Sequence, residues 1–376
     1  MIQIRSICLS AHLDSFCRKL DELAGVEFVY QTDDPGAMRR RVGWSVGADY
    51  NNGPMTDDAL KRAKACDLLV EMLREVELME ERAKAGLKTV YVSERWLKPL
   101  VVHHLRLPAI MRIFLPGYRR MVKRFVRLMD DENFWVFPCG VHAARDFARI
   151  YGLIHGDIRC FFKAPKIDIQ RSLGGDIKEF PRMKLWGYFV DKAKSNGGRH
   201  KSTKDKSLKV LWFGRMLDWK RVDVLIKAFI RAKKSRSLSL LLVGEGPENN
   251  RLRKLAGNAK IDKLGWEEGK IVFHGYVPNG KIRELLREAD VYVMPSNAEE
   301  GWGAAVSEAL LEGCPVISTY EAGSSATLLP EECLYHANNI KALADKLLSY
   351  NGGSVPDISY TWSGDRAAET LLEIVK

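Results

Sequence analysis

From residue 208 onward short apolar runs recur at regular intervals: LKVLWFG, LSLLLVG, KIVFHG, DVYVMPS and PVIST. Each is separated from the next by a helical stretch or a loop, and strands alternating with helices predict a parallel sheet covered on both faces. The segment AAVSEALLEG, residues 304–313, reads as a short helix closed by Gly313, so DVYVMPS, this helix and PVIST form a βαβ unit. Before residue 190 the rhythm is looser. VEFVYQT, DLLVEML, KTVYVSE, FWVFPCG and MKLWGYF are expected strands of a second α/β domain. Between the two, DKAKSNGGRHKSTKDKS is polar, basic and without apolar periodicity, as a linker would be. The end, YTWSGDRAAETLLEIVK, predicts a capped amphipathic helix. The expected organisation is a domain over 1–190, a linker over 191–207, a second domain over 208–355 and a tail helix over 356–376 that crosses back to the first.

Composition narrows the function. A chain of 376 residues can hold two cores, and its net charge of +11 favours anionic partners: nucleic acid, phosphorylated ligands or an acidic membrane surface. Seven cysteines without a C-x-x-C pair predict buried thiols rather than a disulfide frame or a zinc site. The N-terminus turns polar too early for a secretory signal and no apolar run is long enough to span a bilayer, so a cytoplasmic protein is expected, at most touching the inner face of a membrane. For that contact there is a candidate region. Between Glu94 and Asp130 the chain has no acidic residue, and basic residues alternate with apolar ones over 95–127, where VVHHLRLPAIMRIFL and YRRMVKRFVRLM read as basic amphipathic pieces. The alternative is a solvated basic helix packed on its own domain. Nucleic acid is not expected, because the aromatics form no stacking platform.

The polar residues at the strand ends carry the chemistry. In LWFGRMLDWKR, Gly214 ends a strand, and Arg215 and Lys220 follow on the loop, a forked guanidinium and an ammonium able to meet a diphosphate. Solvated Arg and Lys at an ordinary junction would look the same. Gly244 and Gly246 bracket a tight turn, but G-x-G-x-x-G is not completed, so a nicotinamide cofactor is poorly supported. Tyr276 and Val277 follow the KIVFHG strand, where either a nucleobase lies against the backbone or the loop is a plain connection. Around Gly301, Trp302 and Gly303 the backbone turns sharply into a helix N-terminus, an anion-binding feature, with Glu300 before it and Glu308 inside it.

Taken in order, G-R-x4-K, V-G-x-G, F-x-G-x-V, P-S-x3-E-G-x-G and E-A-L-x-E-G-x-P-V resemble the GT-B glycosyltransferases of the GT4 (glycosyl transferase group 1) type over residues 208–320, and more weakly to Trp362. The resemblance implies two Rossmann-like domains facing each other across a cleft. It implies a retaining, metal-independent hexosyltransferase with no cofactor, whose donor is a UDP-sugar or GDP-sugar. On its terms Arg215, Lys220 and Glu300 act on the donor's diphosphate and sugar, and Glu308 holds ribose hydroxyls. Gly214, Gly244, Tyr276, Val277, Gly301, Trp302 and Gly303 complete the nucleotide-sugar site. A carbohydrate or lipid-linked acceptor in surface-polysaccharide assembly is expected, the alternatives being a non-catalytic nucleotide-sugar-binding scaffold or a nucleotide-sugar epimerase. One departure stands in the N-terminal half: where relatives have Thr-x-His, this chain has Ser93, Glu94 and Arg95. There Glu94 either takes over the polar role or is a capping or surface residue. His142 reads as structural rather than as a base, and His12 has no assigned role.

Overall fold

The structure, a computed structural model, describes residues 1–7, 11–31, 49–98, 100–102, 105–190, 207–257, 264–353 and 355–375. The expected linker, apart from Ser207, lies outside the described residues. By its contacts the chain divides into two compact units, the first built from the described residues up to 190 together with 360–375, the second from 207 to 359.

In the first unit β1 (Ile2–Ser6), α1 (Ala11–Ala24), β2 (Val26–Tyr30), β3 (Asn52–Pro54), α2 (Asp57–Ala65), β4 (Leu68–Glu71), α3 (Val76–Lys84) and β5 (Lys88–Ser93) follow one another. A hairpin, β6 (Leu100–Val102) and β7 (Leu105–Leu107), then precedes α4 (Pro116–Met129), β8 (Phe134–Pro138), α5 (Val141–Ile154) and α6 (Arg159–Phe162). The sheet runs β3-β2-β1-β4-β5-β8, all parallel. Its strands other than β3 are buried along almost their whole length, as in a sheet that helices cover on both faces, and beside it Trp96, Phe125, Phe134 and Phe147 pack into one aromatic cluster.

Two expectations in this half need correction. VVHHLRLPAIMRIFL is not a helix: β6 and β7 pair antiparallel, and a 3-10 turn over Ala109–Phe114 follows Pro108. Proline holds that turn's entry extended and its predecessor out of the helical region. MKLWGYF makes only isolated bridges, Val136 with Met183, Cys139 with Trp186 and Asp176 with Lys184, so it lies along β8 without becoming a full strand.

The second unit repeats the plan with β9 (Leu208–Phe213), α7 (Val222–Ala232), β10 (Leu238–Val243), α8 (Asn249–Leu255), β11 (Ile271–His274) and α9 (Asn279–Glu288). Then come β12 (Val291–Met294), α10 (Ala304–Leu311), β13 (Val316–Thr319), α11 (Gly323–Leu328), β14 (Leu334–Tyr335) and α12 (Ile340–Ser349). The sheet order is β11-β10-β9-β12-β13-β14, again parallel. Both sheets thus have the doubly wound order in which the winding reverses beside the first strand. Ligands bind at that reversal, outside the carboxyl ends of the strands; in the second unit it lies between β9 and β12.

The chain then returns to the first unit. The final helix, α13 (Gly364–Val375), packs on α1, and Ser363 Oγ accepts the Arg366 N–H at 3.1 Å as its cap. Of the cysteines, the six in described positions are all buried, as unpaired thiols.

Candidate functional site

The loops after β9 and β12 meet at the reversal point of the second sheet. The first is pinned from below: Gly214 and Met216 donate backbone hydrogen bonds to Val243 and Glu245 on the neighbouring loop, at 3.0 and 2.8 Å. Gly244, at φ 125°, closes that contact, since a Cβ there would overlap the Gly214 carbonyl. The V-G-x-G motif is therefore a packing requirement between two neighbouring loops. At the far end of the first loop Arg221 adopts a left-handed conformation, φ 49°, held by a fork on Asp223 with both bonds at 3.0 Å. A non-glycine residue in that region is strained. Here a two-pronged, charge-assisted contact with Asp223 in the first turn of α7 holds it.

The loop after β12 is built by Asn297. Its N–H reaches the Trp219 carbonyl at 2.9 Å, its side-chain oxygen accepts from Glu299 at 2.9 Å, and its carbonyl accepts from Glu300 at 3.0 Å. One asparagine thereby ties both loops together and fixes the backbone of Glu300. The result is visible in the side chains: Lys220 Nζ and Glu300 Oε2 stand 2.5 Å apart, 22% and 11% exposed. Arg215 is exposed on the same loop, and its side chain makes no ion pair or hydrogen bond with a described residue.

Beyond Glu300 the Gly-Trp-Gly turn is locked from one side. The carbonyls of Gly301, Trp302 and Gly303 accept from Gly323 N, Ser324 N and Ser324 Oγ at 3.0, 2.8 and 2.9 Å. Trp302 is fully buried and its indole N–H donates to Ser307 at 3.3 Å. With its carbonyls so engaged, the turn leads by way of Gly303, at φ 84°, into α10, whose first turn has no side-chain cap. At that end of the helix Val306 N–H bonds to the Gly303 carbonyl at 3.1 Å, and the turn carries the positive end of the helix dipole.

Glu308 sits one and a half turns further in. Burial pushes its carboxyl up to about 7; Glu312 adds to the rise, while Arg283 and Lys220 oppose it. Behind it Glu312 is itself held by Arg283 at 3.3 Å and Arg287 at 2.6 Å. Beneath the site lies Tyr292, fully buried, whose hydroxyl is held protonated first by burial and then by Glu300 and Glu308. Tyr276 is 43% exposed and Val277 buried, at the carboxyl end of β11.

Lys220, Glu300 and the Gly-Trp-Gly turn are thus brought together in the second unit, with Arg215 on the same loop as Lys220 and Glu308 within the helix that the turn starts. Sequence reasoning missed Asn297, Arg221, Asp223, Arg283 and Glu312, which position the others. The available signal was an asparagine two residues before a carboxylate pair, and a basic-x-acidic triplet at a helix start.

In the first unit the residues at the end of β5 have separate partners. Ser93 Oγ accepts from the Trp96 indole at 3.1 Å, and Arg95 pairs with the buried Asp146 at 3.2 Å, so both hold the loop. Glu94 accepts from the Tyr188 hydroxyl at 2.9 Å and lies 3.4 Å from Lys98, and the ring of His12 stacks on Tyr188. His142 stands in the first turn of α5.

Residues 198–350 match the family model of the glycosyl transferases group 1. The putative colanic acid biosynthesis glycosyltransferase WcaL of Salmonella typhimurium is 29% identical over 169 residues, 40% of this chain and 38% of WcaL. An uncharacterized glycosyltransferase of Methanocaldococcus jannaschii is 27% identical over 148 residues, 38% of this chain and 36% of its own. The matched region is under two fifths of the length of these curated relatives. Anabaena HepE, solved in complex with UDP, superposes with a TM-score of 0.62 at 13% identity, covering 99% of this chain and 98% of HepE, a likeness of fold. Through residues 198–350, then, the chain is similar to the glycosyl transferases group 1, and its likeness to HepE is that of a GT-B fold.

Proposed function

We propose that this chain is a retaining hexosyltransferase that moves a sugar from a nucleotide diphosphate, UDP or GDP, to a carbohydrate or lipid-linked acceptor, in cell-surface polysaccharide assembly. The observation that carries the reading is the Lys220–Glu300 pair at 2.5 Å, set beside a glycine-rich turn that opens a helix at the sheet's reversal point. An ammonium and a nearby guanidinium suit a diphosphate, a carboxylate suits sugar hydroxyls, and the bare helix end adds fixed positive potential. Glu308 serves the ribose hydroxyls, and the base lies along Tyr276 and Val277.

In the reaction the bond from the anomeric carbon to the diphosphate oxygen breaks, and the acceptor hydroxyl bonds to the same face of that carbon. Its proton passes to the departing phosphate oxygen. Arg215 and Lys220 meet the charge that develops on the diphosphate, without a metal ion, and this is stabilisation realised chiefly in the transition state. UDP is the first donor to try, because HepE was solved with it. WcaL supports the polysaccharide setting.

Thermal shift of the protein against UDP-, GDP- and ADP-sugars, with Glu308→Ala alongside, tests the site. A donor-specific rise in Tm that the variant loses is expected. No rise with any donor would remove the reading. Donor binding without sugar release or transfer to any acceptor would leave a binding scaffold, and donor isomerisation an epimerase.

A further inference from the structure

Helix α4 presents two unlike faces. Val122, Phe125, Val126, Leu128 and Met129 point into the first unit's core, whereas Arg119, Arg120, Lys123 and Arg127 are all exposed. At 100° per residue these four fall within one stripe along the helix. Arg124, at the edge of the stripe, is held by Glu77 and Glu80. The four others make no ion pair or hydrogen bond through their side chains with any described residue, and Glu80, which holds Arg124, reaches Arg127 at longer range.

The stripe has an apolar foot. Phe114 and Leu115, immediately before α4, are 60% and 47% exposed, and Phe162 on α6 is 80% exposed. Phe161 joins them, its ring 5.7 Å from Phe114 and 5.3 Å from Phe162. An exposed aromatic patch of this kind marks a surface that is covered in use. Cations next to it bring charge complementarity: a row of fixed positive charge beside protruding apolar side chains fits a sheet of anionic headgroups over hydrocarbon. A soluble polyanion would meet the stripe and gain nothing from Phe162. Of the carboxylates around this face, Asp157 is held by Arg159, Glu77 and Glu80 by Arg124, and Asp130 accepts from the Tyr151 hydroxyl.

We infer that the face formed by the outer stripe of α4 and the Phe114–Phe162 patch docks on an anionic lipid bilayer. It deepens the lipid-linked part of the proposed function and rests on that reading for its purpose, but its physics is independent of the donor site. The docking is interfacial, since among the described residues no helix is long and apolar enough to cross a membrane. The surface also differs from the one that the basic pattern alone suggests. The hairpin segment 100–107 is replaced by α6, whose aromatic residues lie outside the basic stretch.

Sedimentation of the full chain with phosphatidylcholine vesicles, with and without phosphatidylglycerol, tests this. Binding is expected only with the anionic lipid, weakening as salt rises. Arg119→Glu with Lys123→Glu should weaken it by at least about 25-fold, from about fivefold per cation lost. Phe114→Ser with Phe162→Ser should weaken it about tenfold, and this loss should persist at high salt. All four positions are exposed, so an unchanged Tm checks folding, and Arg120→Gln with Arg127→Gln is a milder second variant. Failure of the native protein to sediment with anionic vesicles would overturn the inference. So would retention on dextran sulfate as strong as on vesicles and indifferent to the phenylalanine changes. Since the assay uses neither donor nor acceptor, its failure leaves the transferase reading to the donor-binding test.

Discussion

Glu308 carries a prediction that needs no substrate. In the folded chain its carboxyl keeps its proton up to about pH 7, whereas its ordinary value is 4.5. The folded state therefore binds more protons between these values, and stability falls as pH rises through that window. Glu308→Gln, which cannot ionise, should melt like the native protein near pH 4 and above it near pH 8. A Tm difference that does not change with pH would show that burial does not control this carboxyl. Lys220 makes a kinetic prediction. Lys220→Met should lower kcat about ten- to hundredfold, the worth of one charge-assisted hydrogen bond in the transition state, with a smaller change in donor Kd. An equal loss in both, read from stopped-flow turnover and calorimetric titration, would mean that Lys220 binds donor and transition state alike. The residues proposed to face the donor were legible because their chemistry is unusual for a strand end. Those that aim them were not: Asn297 and Arg221 act through backbone geometry, which residue identity does not display.

At the scale of elements, the second unit was readable because five of its strands are compact apolar runs, the first three ended by glycine, with helical stretches between. In the first unit β3 is three residues long and ends in Pro54, so no periodic signal marks it. The segment MKLWGYF has a strand's composition but pairs through isolated bridges, an outcome set by tertiary contact with β8 rather than by pattern. The most exacting element is the turn into α10. Gly303 has φ 84°, and a Cβ would come 2.9 Å from Met294 Cε and 3.2 Å from Ser324 Oγ. Gly303→Ala should therefore cost about 1–3 kcal/mol in stability and, by shifting the start of α10, weaken donor binding. Denaturant titration with and without donor checks both effects. A variant as stable as the native protein would show that the turn can relax.

For the whole molecule, the same strand order appears twice, and the last helix does not stay with the unit it follows. Trp362, Ala367, Ala368 and Leu371 are buried in the first unit. Val190 donates to the Trp362 carbonyl at 3.1 Å, and Lys88 Nζ to that of Ile374 at 2.9 Å. Large apolar side chains buried in this way stabilise by about 1.5–3 kcal/mol each, so Trp362 and Leu371 alone represent several kcal/mol. Deleting residues 360–376 should strip α1 of its cover and loosen the sheet that α1 protects, while the second unit keeps its own core of Trp212, Phe229 and Phe273. Amide hydrogen exchange separates these effects. Protection should fall in Ile2–Ser6 and Val26–Tyr30 and persist in Leu208–Phe213. Equal loss in all three strands would mean that the two units unfold as one. Unchanged protection in the first two would mean that α13 adds little, and that its buried face is better explained by a role other than stability.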